Sequence, residues 1–400
     1  MSERHFPSSF LWGASTAAHQ VEGNNVNSDW WELEHTGEEA IAEPSGDAAD
    51  SFHRYPQDIA LLGELGLGAY RFSFEWARIE PEQGYFSRAM LQHYRRMVDT
   101  TIQAGLVPVV TLHHFTNPRW FAKQGGWSAA GAVDAFARYV ETVAPLLHDV
   151  PWVVTINEPN MVAALLGIRE AVSSGITAAP SVCATEALIA AHRRAREILQ
   201  PLAGATGWSV ANQAYHAVPG CEEEMVAYRH PREDVFLEAA REDDFVGVQA
   251  YLRTFVGKEG PVPVREDVEK TLTGWEYFPQ ALGIAARHTA AVTGGTPILV
   301  TENGIATADD RRRIDYTHEA LVGLHEAIAD GVDVRGYLHW SALDNYEWGS
   351  YRPTFGLIEW DSRTFERSIK PSGRWLGRVA QSGVLGHPDA PVGEGGEFSR

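Results

Sequence analysis

Pro297 to Ile305 reads PILVTENGI, and the fold follows from it. Ile298, Leu299 and Val300 form an unbroken apolar run, as expected of a strand buried on both faces, and Glu302, Asn303 and Gly304 end it abruptly. A carboxylate at the end of a buried strand is costly unless it is hydrogen-bonded, paired or put to use. Trp152 to Asn160, WVVTINEPN, has the same form: an apolar strand, then Asn157 and Glu158, then Pro159 to stop it. Two buried strands each deliver a glutamate at the C-terminal end.

Six further runs of this kind alternate with helical patterns. Strands are predicted at Phe10–Ser15, Ala69–Trp76, Val107–His113, Trp152–Asn157, Trp208–Asn212, Phe245–Tyr251, Ile298–Thr301 and Val334–Trp340. Helical stretches fall at Asp58–Leu65, Tyr94–Gln103, Val133–Leu147, Thr185–Leu199, Val235–Arg241, Pro279–Thr293 and His318–Asp330. Eightfold alternation of strand and helix predicts an α/β fold, a single-domain (β/α)8 TIM barrel over residues 1–385 with its active site at the C-terminal ends of the strands. An open doubly wound sheet would carry a glycine-rich phosphate loop after its first strand, and none follows Gly13. Asn24–Asp50 and Gly257–Gly274 read as loops inserted at strand ends, and residues 386–400, rich in Gly, Pro and acid, as a disordered tail.

The chain has 400 residues, 44% of them hydrophobic, enough for a sizeable core. Its net charge of −20 opposes binding to nucleic acid and to anionic membranes. MSERHFPSSF lacks the apolar core of a secretory signal, and the two cysteines, Cys183 and Cys221, form no CxxC, so a cytoplasmic protein without a disulfide scaffold or thiolate metal site is expected.

The residues at the strand ends are polar and aromatic: Gln20, Arg71, Glu75, His113, His114, Asn157, Glu158, Tyr251, Glu302, Trp340, Glu347 and Trp348. Indoles stack on the C–H faces of a sugar, and amides and carboxylates bind its hydroxyls. A glycosidic bond needs one carboxyl to protonate the leaving oxygen and another to attack or to activate water, and Glu158 and Glu302 supply that pair. His113 and His114 have no carboxylate at ligand spacing, so no metal is expected; one should hydrogen-bond and the other pack. Trp12, Trp30, Trp31, Trp127, Trp152 and Trp208 are expected in the core or at the rim.

FLWGASTAAHQVEG, RYPQDIALLGELGLGAYRFSFEWARI, TLHHF, TINEPN, DFVGVQAY, GWEYFPQAL, VTENGI and GYLHWSALDNYEW occur in that order between Phe10 and Trp348. In these motifs the chain resembles glycoside hydrolase family 1, the β-glucosidase family of retaining (β/α)8 enzymes. The resemblance implies a retaining β-glycosidase acting on a small β-glycoside or oligosaccharide without a cofactor, with Glu158 as acid/base and Glu302 as nucleophile. It further implies that Arg71, Asn157 and Tyr251 support catalysis, that Gln20, His114, Asn157, Trp340, Glu347 and Trp348 bind the non-reducing sugar, and that Trp275 sits at the cleft rim. Phe115 stands where many members have Trp, and Gln249-Ala250 where Asn-Tyr is usual. A transglycosylase using the same residues, or a non-catalytic sugar-binding barrel, are the alternatives; the aglycone, the choice among glucose, galactose and fucose, and the oligomeric state stay open.

Overall fold

The computed structural model describes residues 3–388 apart from 39–40 and 175–178, so most of the expected tail lies outside the described residues. Eight parallel strands form the barrel: β1 Leu11–Ser15, β2 Ala69–Ser73, β3 Val107–Thr111, β4 Trp152–Asn157, β5 Ala205–Ala217, β6 Val246–Gly257, β7 Ile298–Glu302 and β8 Val334–Trp340. Each pairs with the next in sequence, and β8 pairs with β1 through Gly336↔Leu11 to Trp340↔Ser15, which closes the ring. Closure leaves no exposed edge in the ring.

The helices that cover the ring are α1 Ser51–Leu65, α2 Arg88–Gln103, α3 Ala132–Val143, α4 Pro159–Ser174, α5 Val182–Leu199, α6 Val235–Ala239, α7 Ala281–Thr293, α8 Asp310–Ala329 and α9 Pro371–Ser382. Their apolar spacing explains the docking: on α3, Ala132, Phe136, Tyr139, Val140 and Val143 recur at helical period and are buried against the sheet. α1 begins at Ser51, earlier than the sequence reading, because Asp50 holds both His53 and Arg54 across its first turn. The helix continues through Pro56 and ends at Gly66, whose φ of 81° suits glycine. No helix among the described residues is long and apolar enough to cross a membrane.

Alternation along the strands builds two cores. Ala69, Val109, Val154, Phe245, Leu299 and Leu338 meet inside the ring, with Leu11 and Ala205 packed on them, so all eight strand positions contribute. Their neighbours Phe72, Val110, Val153, Val248, Val300 and Tyr337 face outward into the larger core beneath the helices. Each fully buried Val, Leu or Phe contributes roughly 1.5–3 kcal/mol.

Several element boundaries differ from the sequence reading. β2 stops at Ser73, because Glu75 caps a short helix, Trp76–Ile79, by accepting from Ala77 N at 3.1 Å. β5 and β6 run on to Ala217 and Gly257, pairing Ala214↔Arg253 to Ala217↔Val256 above the ring. The segment expected as a loop over Asn24–Asp50 includes a helical turn and a half, Asp29–Glu34. Gly257–Gly274 starts with a two-residue strand, Gly260–Pro261, antiparallel to the end of β6.

Candidate active site

The glutamates owe their direction to irregularities in the strands that carry them. On β7, Val248↔Val300 is followed by Gln249↔Glu302, leaving Thr301 as an extra residue. Leu299 faces inward and Val300 outward. Regular alternation would then send Glu302 outward beneath the helices; the bulge turns it to the barrel axis. On β4, Val154↔Gly207 is followed by Asn157↔Ser209, and Val153 and Ile156 both face the outer core, so Asn157 also turns inward. β6 has a third irregularity between Ala250 and Arg253, where Tyr251 and Leu252 both reach the pocket.

Glu302 is held on both oxygens. Arg71 Nη1 donates to Oε1 at 2.6 Å, and Tyr251 Oη donates to Oε2 at 2.8 Å. Arg71 is fully buried; its Nε donates to Thr111 Oγ1 at 3.0 Å and its Nη2 to Asn157 Oδ1. Asn157 Oδ1 accepts a second bond, 2.8 Å, from Gln249 Nε2. Its amide nitrogen is thereby turned toward His114 Nε2, 3.3 Å away.

Glu158 is held differently. Its carboxyl accepts no hydrogen bond from the described residues and opens onto the cavity beside Glu302. Its φ is 45°, a left-handed conformation costing a non-glycine residue on the order of 1–3 kcal/mol. Its N–H donates to Ser209 O at 2.7 Å, and its carbonyl accepts from Met161 N, so that α4 begins directly after it. Phe115 and Trp348, both on the same cavity, also have positive φ, 65° and 48°. With Glu158, these make up three of the seven non-glycine residues with positive φ among the described residues.

Burial raises both carboxyls, but unequally. At Glu302, Arg71, Tyr251 and Gln249 oppose the burial. At Glu158 burial is reinforced by the charges of Glu302 and Glu347, with Arg71 the opposing influence, and the shift is much larger. Glu302 therefore ionises first, and its charge keeps Glu158 protonated. Burial pushes Glu347 up to about 7 despite hydrogen bonds from Asn345 and Gln20.

The cavity measures about 430 Å³ and brings together Gln20, His114, Glu158, Tyr251, Trp275, Glu302, Trp340, Glu347 and Trp348, with Arg71 and Asn157 beneath. Gln20 Oε1, His114 Nδ1 and Gln249 Oε1 are buried without a protein partner, which leaves them able to bond a polar guest. Burial, with Arg71 adding repulsion, keeps His114 neutral, so one ring nitrogen donates and the other accepts. Trp340, His114, Trp348 and His19 form a column of nearly parallel rings, 5.9, 6.2 and 5.7 Å between successive centroids. Gly304 fits between β7 and β8 because a Cβ there would meet Trp340 O at 2.1 Å.

Two strand-end residues point elsewhere. His113 packs edge-on to Trp127 at 5.2 Å, bonds Asn117 Oδ1 at 3.0 Å and is held neutral by burial, its pKa down to about 4. Glu75 caps its helix and takes a bond from Thr116 Oγ1. The sequence reading missed Gln249 as a site residue, along with Met161, Leu165, Leu252, Phe355 and the direct contribution of Trp30. Met161 and Leu165 were legible in principle, since both lie at helical spacing from Glu158. Glu233, Asp234 and His288 cluster behind β5, but Asn212 and Gln213 N occupy Glu233, and Arg229 and His288 occupy Asp234.

The sequence profile described as Glycosyl hydrolase family 1 matches residues 2–225 and 233–384. Beta-glucosidase A of Thermotoga maritima is 30% identical over 96% of this chain and 100% of its own length. The crystal structure of β-glycosidase BGL167 superposes with a TM-score of 0.87 at 43% identity, covering 97% of this chain and 100% of that one. A β-glycosidase from Pyrococcus horikoshii gives 0.87 at 32% identity, over 96% and 97% of the two chains. With its barrel closed, its two glutamates on β4 and β7, and a profile match across nearly all of its length, the chain belongs to glycosyl hydrolase family 1.

Proposed function

We infer that the protein is a retaining β-glucosidase that removes a terminal, non-reducing, unphosphorylated β-D-glucosyl residue. One observation carries the mechanism: Glu302 is clamped by Arg71 and Tyr251 as an anion, whereas Glu158 beside it has no donor to stabilise its charge. Glu302 attacks the anomeric carbon as Glu158 protonates the glycosidic oxygen, the C–O bond breaks, and the sugar is left as an ester on Glu302. Having given its proton to the leaving oxygen, Glu158 remains a carboxylate because Glu302, now esterified, no longer repels its charge. It then takes a proton from water, whose oxygen attacks the same carbon and releases Glu302.

Gln20, Glu347 and His114 bind the sugar hydroxyls in this reading, Asn157 presents its amide to the hydroxyl next to the reacting carbon, and Trp340 stacks beneath the ring. No Lys or Arg lines the cavity among the described residues, so a 6-phosphate beside Glu347 would meet repulsion without a counter-charge. The free thiols of Cys183 and Cys221 support a cytoplasmic location.

The test is covalent trapping. Dinitrophenyl 2-deoxy-2-fluoro-β-glucoside should inactivate the protein with release of one dinitrophenolate and add one fluorosugar mass to the peptide containing Glu302. A label on any other residue, or turnover with inversion by NMR, refutes the assignment.

A further inference from the structure

Behind β5, outside the cavity, a buried carboxyl is bonded into the frame of the site. The helix Glu222–Arg229 runs into a single π-turn, His230–Asp234, before α6 begins. The two adjacent acids of this turn are bound on different sides: Asp234 takes Arg229 and His288, whereas Glu233, fully buried, reaches β5. There the ladder to β6 pairs Asn212↔Ala250 and resumes at Ala214↔Arg253, leaving Gln213 outside it. Glu233 Oε2 accepts from Gln213 N at 3.0 Å, and so supplies the partner that the ladder withholds. In the same turn the Arg232 carbonyl accepts from Nδ2 of Asn160, two residues after Glu158, at 2.9 Å.

The other oxygen of Glu233 leads into the site. Asn212 Nδ2 donates to Oε1 at 3.0 Å and to Thr289 Oγ1 at 3.3 Å, which turns Asn212 Oδ1 toward β6, where it accepts from Gln249 N at 3.2 Å. Gln249 Nε2 in turn donates to Asn157 Oδ1 at 2.8 Å. The carboxylate sets the direction of these bonds, because it only accepts and an amide beside it must present its nitrogen. A neutral acid or an amide at position 233 would carry a donor of its own, set against Gln213 N–H or the nitrogen of Asn212. Were Asn212 to turn over, its nitrogen would meet Gln249 N–H, donor against donor, and the main chain that carries the Gln249 side chain would shift.

We propose that Glu233 is a positioning residue for glycoside cleavage: as a carboxylate it fixes Asn212, and through it Gln249 and the Asn157 amide that meets the hydroxyl next to the reacting carbon. This rests on the β-glucosidase reading and adds a residue that does not line the cavity. Around Glu233 the titratable groups are Asp234 on its own turn, Tyr215 on β5 and His288 on α7; Arg229 is paired with Asp234, and α4 presents the amide of Asn160. Burial, aided by the charge of Asp234, pushes Glu233 up to about 7 against the bonds from Asn212 and Gln213 and the charge of His288. The carboxylate is therefore lost as pH falls through about 7.

Two measurements test it. The first is a double-mutant cycle on 4-nitrophenyl β-glucoside and its 2-deoxy analogue. Glu233→Gln should lower kcat/KM about fivefold or more for the glucoside and less than about twofold for the 2-deoxyglucoside, which has no hydroxyl for Asn157 to meet. In the Gln249→Leu background, Glu233→Gln should bring no further loss on the glucoside. Equal losses on the two substrates, or losses that add in the double variant, overturn the proposal.

The second uses the parent protein alone. Glu158, Glu302 and Glu347 act on both substrates alike, so their titrations cancel in the ratio of kcat/KM for the glucoside to that for the 2-deoxyglucoside. That ratio should fall about fivefold between pH 8.5 and pH 5.5, as Glu233 takes up its proton. A ratio constant over this range overturns the proposal. Should neither glycoside be cleaved, the activity reading fails, and calorimetric binding of glucose and 2-deoxyglucose decides the positioning role: the advantage of glucose should shrink over the same range, and an unchanged advantage overturns it.

Discussion

Tyr251 donates to Glu302 on the oxygen that Arg71 leaves free, 2.8 Å from hydroxyl to carboxylate. This bond favours the anion. A hydrogen bond to a charged group contributes about 1.5–3 kcal/mol, so Tyr251→Phe should lower kcat/KM roughly 10- to 100-fold. The pH dependence of kcat/KM in the parent should be bell-shaped. Glu302 must be ionised, so activity is lost as pH falls through its pKa; Glu158 must be protonated, so activity is lost as pH rises through its own. Removing the tyrosine donor should move the acid limb to higher pH and leave a bell. An unmoved acid limb would show that the hydroxyl does not act on Glu302.

The two glutamates should be distinguishable by azide. Glu302→Ala forms no glycosyl-enzyme; azide entering the vacated space should convert an activated β-glucoside to the α-glucosyl azide. Glu158→Ala should still react with a dinitrophenyl glucoside, whose leaving group needs little proton donation, and then stall for want of a base. Azide should accelerate it and give the β-glucosyl azide. The same anomer from both variants contradicts the assignment.

Gln249 should prove a positioning residue. It and Arg71 together fix the oxygen of Asn157, which leaves the amide nitrogen on the side of His114, where the proposed reading places the sugar hydroxyl. Gln249→Leu frees that amide to turn, so kcat for glucosides should fall by about tenfold or more, from loss of one hydrogen bond of about 1 kcal/mol and of preorganisation. The 2-deoxyglucoside, which lacks the hydroxyl next to the reacting carbon, should be affected less. Equal losses on both substrates would argue that Gln249 only supports packing.

Alkaline stability should depend on Glu75. Burial, aided by the charge of Glu22, pushes this carboxyl up to about 8, against an ordinary value of 4.5. The folded state thus holds a proton that the unfolded chain gives up. Its contribution is complete below pH 4.5 and is lost as pH rises from there through about 8. Glu75→Gln removes this dependence, and should raise stability at pH 9 relative to the parent by on the order of a few kcal/mol, measured by urea unfolding at pH 5 and pH 9. A parallel fall in both proteins between these pH values would place the alkaline weakness elsewhere.

The barrel was legible because its signal is repeated: eight apolar runs, each stopped by a polar residue, leave few other arrangements. The strand-end rule then pointed to Glu158, Glu302 and the sugar-facing residues, which the structure brings onto one cavity. What escaped the sequence was direction. Glu75 and His113 also lie at strand ends, yet one caps a helix and the other packs against Trp127, because neither pattern records which face a residue takes once the strand stops. Gln249 was visible only as a departure from a motif; its bond to Asn157 joins residues far apart in sequence. The extensions of β5 and β6 were hidden because their outer residues, such as His216 and Thr254, lack a continuous apolar run.

The extra residue at Thr301 has a consequence for how this chain can vary. It works as a phase shift within β7: before it, alternation builds the barrel; after it, the same alternation is offset so that Glu302 meets Arg71. A regular ladder over the same residues, with Thr301 paired in register, would aim the glutamate at the helices. The most regular form of this strand is thus a silent one, and selection for activity must act against the local order that folding alone would favour.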